Sequence, residues 1–205
     1  MSVRSKLALT ASAALVAAAT LTASGNATAS GPATSARAGA TYVVLKGGAT
    51  TLRLNPGTAK VLTDNGISVA PASEARVRST GIAFPIQGGL LNSKTLAGKV
   101  KHSGGLTFSA GGKDLTIRDF TINTAKKTLS AYVDEAGARI PVLNLNLAKA
   151  QVKVTKKHLT VSNVKAKLTS GAASALNSYY STSLFKGGLK IGTATMSASS
   201  KILRG

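Results

Sequence analysis

The sequence predicts an all-β protein, mainly an antiparallel β-sandwich of two sheets, with two short helices. Three observations carry that expectation. Apolar and polar residues alternate in short runs from Thr41 onward, and a period of two is the mark of half-buried strands. Glycine pairs at 47–48, 88–89, 104–105, 111–112 and 187–188 stand between runs, and ten to twelve short strands with turn signals every roughly 8–12 residues fit a sandwich or barrel. Helix-start chemistry stands at two places, Asn55-Pro56 and Thr169.

Taken in order, Thr41 to Leu45 (TYVVL) is β-branched and reads as a strand, Gly47-Gly48 as its turn, and Thr51 to Leu54 (TLRL) as the next strand. Asn55 is a good N-cap, and Pro56 suits the first helical position because its missing N–H is not needed there. Ala59, Val61 and Leu62 are expected to pack on one side of this helix, and Gly66 to end it in the left-handed conformation. Val77 to Ile86 (VRSTGIAFPI) reads as a strand interrupted by Gly81, with Pro85 favouring an edge or an end. Gly98 to Val133 reads as four short strands in a meander, with Gly111-Gly112 as a turn. Within it, Leu115 and Ile117 lie in one phase and Phe120 and Ile122 in the other. A one-residue slip would turn every later apolar side chain to the wrong face, so a β-bulge is expected at Arg118-Asp119, with the Asp119 side chain on local backbone. Ile140 to Leu147 and the segment around Val152 and Val154 read as further strands. The total is ten to twelve strands.

Two stretches repeat within the chain. LNPGTAKVL (Leu54 to Leu62) parallels LTSGAASAL (Leu168 to Leu176), with Thr169 at the second N-cap. LTIRDFTI (Leu115 to Ile122) parallels LTVSNVKA (Leu159 to Ala166), and both carry the phase slip. With two copies of each, these are pseudo-repeats inside one domain rather than a solenoid.

The N-terminus carries an address. Arg4 and Lys6 precede an apolar run from Leu7 to Leu21, and Ala27-Thr28-Ala29 follows. A charged start, an apolar core and an A-x-A site describe a secretory signal over residues 1–29. The alternative, a membrane anchor, needs about 20 apolar residues, and this run is shorter and rich in Ala, Ser and Thr. Residues 30–40 (SGPATSARAGA) read as a disordered leader, and 41–205 as a single β-domain with no transmembrane segment once the signal is removed. The expected location is extracellular or cell-wall associated.

Charge narrows the partners. The chain holds 26 basic and six acidic residues, and residues 1–29 take away two of the basic ones, leaving a formal charge of about +18. Such a field favours anionic surfaces, among them cell-wall polymers. Nucleic acid is not expected: the four tyrosines and four phenylalanines form no stacking platform. Cysteine is absent, so the fold relies on its core. The two histidines, His102 and His158, and the six acidic residues show no metal-ligand spacing and no nucleophile elbow. Asp134-Glu135 sits before Ala136-Gly137 as a hairpin turn. The expectation is a protein that is not an enzyme.

One resemblance adds to this. Residues 96–147, with His102-Ser103-Gly104-Gly105-Leu106 and Thr128-Leu129-Ser130-Ala131-Tyr132-Val133, resemble the central part of the HtaA-type domain of actinobacterial secreted haem-uptake proteins. The tail from Leu168-Thr169 to Leu176 and Tyr179-Tyr180 is similar to the close of that domain. The resemblance implies a two-sheet β-structure with two helices, and haem as a ligand, with His102 and Tyr180 at pocket positions. It also implies an axial tyrosine in a W-G and S-F-x-x-Y opening. This chain has no tryptophan, and Thr41 to Gly57 departs from that opening, so the axial ligand has no counterpart; Tyr42 is the tyrosine nearest to it in sequence. From the residues alone, His102 reads as a turn residue bonded to backbone, and Tyr179-Tyr180 as a packing pair at a helix end. Two functions follow: a secreted, non-catalytic binding protein of HtaA type for haem or another small ligand, or a basic surface or cell-wall protein that binds no haem.

Overall fold

The structure is a computed structural model and describes residues 40–204; the expected signal and all but the last residue of the expected leader lie outside that range. Among the described residues the elements run β1 (Thr41–Leu54), α1 (Pro56–Asp64), β2 (Ser68–Ala72), β3 (Arg76–Arg78), β4 (Gly81–Asn92), β5 (Gly98–His102), β6 (Gly105–Ala110), β7 (Lys113–Asn123), β8 (Thr128–Val133), β9 (Ala138–Asn146), β10 (Gln151–Val154), β11 (His158–Leu168), α2 (Ser170–Tyr180) and β12 (Lys190–Arg204). The mainly antiparallel β class with two helices is as the alternation predicts.

The sandwich of two sheets is not what forms. The ladder runs β1–β4–β5–β7–β8–β9–β11–β12 and returns to β1, so eight antiparallel strands close into a barrel. β2, β3, β6 and β10 are added to its outside ladder rather than to a second sheet. The physical reason lies in strand length. β1, β4 and β12 have 14, 12 and 15 residues, and irregularities within each ladder bend them enough to meet their neighbours on both sides. Closure pairs the edges that an open sheet would leave bare. A barrel and a sandwich share the same period of two, so alternation could not separate them.

Gly47-Gly48 is the first of these bends. It does not turn the chain; β1 runs straight through it with a register shift between Leu45 and Gly47. Gly48 has φ +117, and a Cβ there would stand 2.2 Å from the Ser197 carbonyl oxygen. Glycine is needed so that β1 and β12 can approach.

The meander expected over Gly98 to Val133 is also rearranged. β5 and β6 do not pair with each other. Both lie along the same side of β7, β5 on its C-terminal half (Val100 opposite Ile122) and β6 on its N-terminal half (Leu106 opposite Ile117). They are one strand line broken at Ser103-Gly104, where Gly104 has φ +78. Opposite the break, the predicted bulge is present: the β7–β8 register shifts between Arg118 and Thr121, and Asp119 has φ 55. The Asp119 side chain, expected on backbone, instead takes Nη1 of Arg118 at 2.7 Å, while its N–H donates to the Gly104 carbonyl.

Both helices stand at one end of the barrel. β1 and β11 finish there and β12 begins there, as Leu54 opposite Gly192 shows. Asn55 caps α1 by accepting from the N–H groups of Gly57 and Thr58, and Thr169 caps α2 by accepting from that of Ala172. α1 buries Thr58 and Leu62, while Val61, expected inside, is exposed. The core divides around the barrel: Leu52, Phe84, Phe120, Leu168 and Phe185 gather toward the helices, and Val43, Leu45, Leu91, Val100 and Leu159 toward the other end.

Candidate functional site

β5 explains where the site begins. Lys99 and Lys101 are exposed and Val100 and His102 are buried, because successive strand side chains point to opposite faces. His102 is the last residue before the break, and only 4% of its surface is exposed. Thr50 of β1, also buried, stands on the same inner face two strands away, with β4 between them. The Thr50 hydroxyl lies 2.8 Å from Nε2 of His102, and Nδ1 lies 3.3 Å from the Phe120 carbonyl. A carbonyl only accepts, so Nδ1 carries the proton, and Nε2 accepts from Thr50. Burial lowers the His102 pKa to about 4, so the ring is neutral at neutral pH.

This pair lines an interior cavity of about 370 Å³, within the roughly 300–1,000 Å³ of small-molecule sites. The cavity runs from Thr58 and Leu62 of α1 past Phe84, Phe120 and Met196 to Thr95, in the turn between β4 and β5 at the opposite end. Phe84 and Phe120 meet edge to face with centroids 4.9 Å apart. Among the described residues, no charged side chain and no tyrosine lines it. The polar side chains that do are His102 and four threonines, at 50, 58, 95 and 124.

Tyr180 lies elsewhere. At the end of α2, its hydroxyl donates to the Phe108 carbonyl at 2.8 Å, and its ring meets Tyr179 edge to face at 4.9 Å. Burial, with smaller contributions from Tyr179, Glu135 and Asp114, raises its pKa to about 12. The structure thus places His102 in the cavity wall and Tyr180 among the side chains packed against the core near β6. Tyr42, at the start of β1, is paired with Leu203 and Asn92 and does not line the cavity. Thr50 was not legible beforehand: reading Gly47-Gly48 as a turn left it outside any strand. Counted through from Leu52 with a period of two, it falls on the inner face.

A hydroxyl bonded to an imidazole has the form of a nucleophile–base pair. The depressed pKa makes this imidazole a poor base at neutral pH, so the pair acts as a polar anchor in an apolar wall. A haem inside the barrel would have to be held by the same donor set. Its iron would require a lone pair aimed into the cavity, yet both nitrogens of His102 are engaged, and the Tyr180 phenol is held protonated outside. Its carboxylates would meet no charged side chain, and burying an unpaired charge is costly. The residues as arranged do not fit a haem held inside the barrel.

The fold and the cavity define a class: a closed antiparallel barrel with helices at one end and an uncharged interior. The sequence profile of the HtaA family (Htaa) matches residues 23–184, and the chain belongs to that family. In fold it is similar to the C-terminal domain of HtaA from Corynebacterium glutamicum, at 15% identity and a TM-score of 0.59, over 77% of this chain and 99% of that one. A domain-swapped dimeric variant of the same domain matches at 16% identity and a TM-score of 0.50, over 70% and 90%. The haem-binding protein HtaB from Corynebacterium glutamicum aligns at 13% identity and a TM-score of 0.46, over 79% and 97%. No curated protein matches the chain. Among the described residues, no helix is long and apolar enough to cross a membrane.

Proposed function

We propose that the protein is an extracellular, non-catalytic binding domain that holds a small molecule inside its barrel. The single observation that carries this is the uncharged cavity with one neutral imidazole–hydroxyl anchor in its wall. Eight strands give a barrel interior able either to fill with side chains or to hold one small ligand. The signal pattern of residues 1–29 supports export.

Family membership supports haem as the ligand; the donor set stands against it inside the cavity. Titration of the mature chain with haemin, read at the Soret band against a basic control protein, tests this. The expected result is no shift beyond the control for the native chain. A native Soret shift abolished by His102→Ala would restore haem as the ligand.

A second reading, contact with anionic cell-wall polymers, is favoured by the outer surface. Lys99 and Lys101 stand exposed on β5, and Lys153, Lys156 and Lys157 stand exposed at the β10–β11 hairpin. Solvated lysines of this kind give weak, salt-sensitive attraction.

A further inference from the structure

The hydrogens of the cavity wall are already spent. The Thr50 hydroxyl donates to Nε2 of His102, whose own Nδ1–H faces the Phe120 carbonyl. Thr58 donates to the Lys190 carbonyl at 2.5 Å. Thr95 donates to Oδ1 of Asn92 at 3.2 Å, and Thr124 donates to the Leu96 carbonyl at 2.7 Å. These five are the polar side chains lining the cavity among the described residues. Along the paired stretches that carry Thr50 and His102, the strand N–H groups are committed to the barrel ladder. Each threonine oxygen still has an acceptor lone pair, because a hydroxyl has one hydrogen and two acceptor sites.

From this we infer that the cavity takes a neutral, elongated apolar molecule that carries a hydroxyl, an alcohol or phenol whose hydrogen is donated to Thr50 Oγ1, and that it rejects carboxylates and esters of the same length. The inference rests on the reading of the barrel as a small-molecule site and specifies its ligand. The shape follows from the lining, which extends from α1 at one end to the β4–β5 turn at the other. The rejection follows from desolvation. A carboxylate entering this wall loses its water and gains no donor, and an ester carbonyl loses its hydrogen bonds likewise. The alcohol replaces its donated bond to water with one to Thr50.

The test uses the mature chain and the neutral fluorescent probe N-phenylnaphthylamine, displaced by dodecanol, methyl dodecanoate or dodecanoate. The chain has no tryptophan, so probe emission is free of that background. Dodecanol is expected to displace the probe about tenfold more effectively than the ester, the ratio one well-made hydrogen bond gives, and dodecanoate least of all. His102→Phe leaves the Thr50 hydrogen free to donate and should collapse the alcohol-to-ester ratio. Thr50→Val bares Nε2, still an acceptor, and should keep it. Equal displacement by alcohol and ester in the native chain, or displacement by the carboxylate at the alcohol's concentration, would overturn the inference while leaving the barrel a small-molecule site. A probe that never binds would overturn both.

Discussion

At the scale of single residues, burial and backbone conformation decide most. His102 is neutral because its surroundings penalise the charged form, and its pKa falls from 6.5 to about 4. The unfolded chain takes up a proton as pH drops below about 6.5, whereas the folded chain does not until about pH 4. The group therefore adds stability that is fully present above pH 6.5 and is lost as pH falls toward 4, by about 3 kcal/mol. Urea denaturation at intervals between pH 7.5 and 4 should show that loss in the native chain, and His102→Gln should flatten it within this window. Asp119 offers a second residue-scale prediction. Its φ of 55 costs a β-branched residue about 1–2 kcal/mol. Asp119→Val should lower the denaturation midpoint by that amount more than Asp114→Val, and Asp119→Gly should not. Equal midpoints for the two valine variants would move the strain elsewhere. The sequence showed that Asp119 occupies a special position, through the phase change between Ile117 and Phe120. Its side-chain partner, Arg118, was not legible, because a bulge fixes backbone direction and leaves the carboxylate free to find the nearest cation.

At the scale of elements, the two pseudo-repeats are structural twins in their irregularities. The bulge at Asp119 in β7 has its counterpart at Asn163 in β11, where φ is 59 and the pairing with β12 shifts between Val161 and Val164. Asp and Asn tolerate this conformation better than other side chains, so the same short polar residue recurs where each strand must bend. The helices repeat too, each entered through a polar cap. Asn55→Ala and Thr169→Ala should each cost about 0.5–2 kcal/mol. Thr169 has the larger expected loss, because its hydroxyl also reaches the Pro141 carbonyl and ties α2 to β9. Chemical denaturation of both variants and of the double variant checks the order, and near-additivity is expected if the caps act independently.

At the scale of the whole molecule, closure separates two kinds of strand. Ring strands such as β1 and β12 are paired on both sides over much of their length, whereas β3 and β10 each pair with one neighbour. All four residues of β10 are exposed. Amide exchange should be slowest in the central parts of β1 and β12 and fastest in β3 and β10, because local opening is cheapest where few buried contacts are broken. Uniform protection across all twelve strands would contradict this picture of a ring with appended strands.

The sequence by itself determined the local rules: period-two strands, two capped helices, the bulge at Asp119, and the resemblance to HtaA domains. Each is a short-range consequence of φ preference, capping or alternation within a few residues. The tertiary structure alone decided what those strands enclose. Whether Gly47-Gly48 turns the chain or lets it pass depends on Ser197, far away in sequence, coming within reach of a missing Cβ. Whether β5 pairs with β6 or lies end to end with it depends on β7. The partnership of Thr50 with His102, 52 positions apart, exists because β4 pairs with β1 on one side and β5 on the other, which sets both side chains on the same inner face, and no local pattern encodes that order of strands.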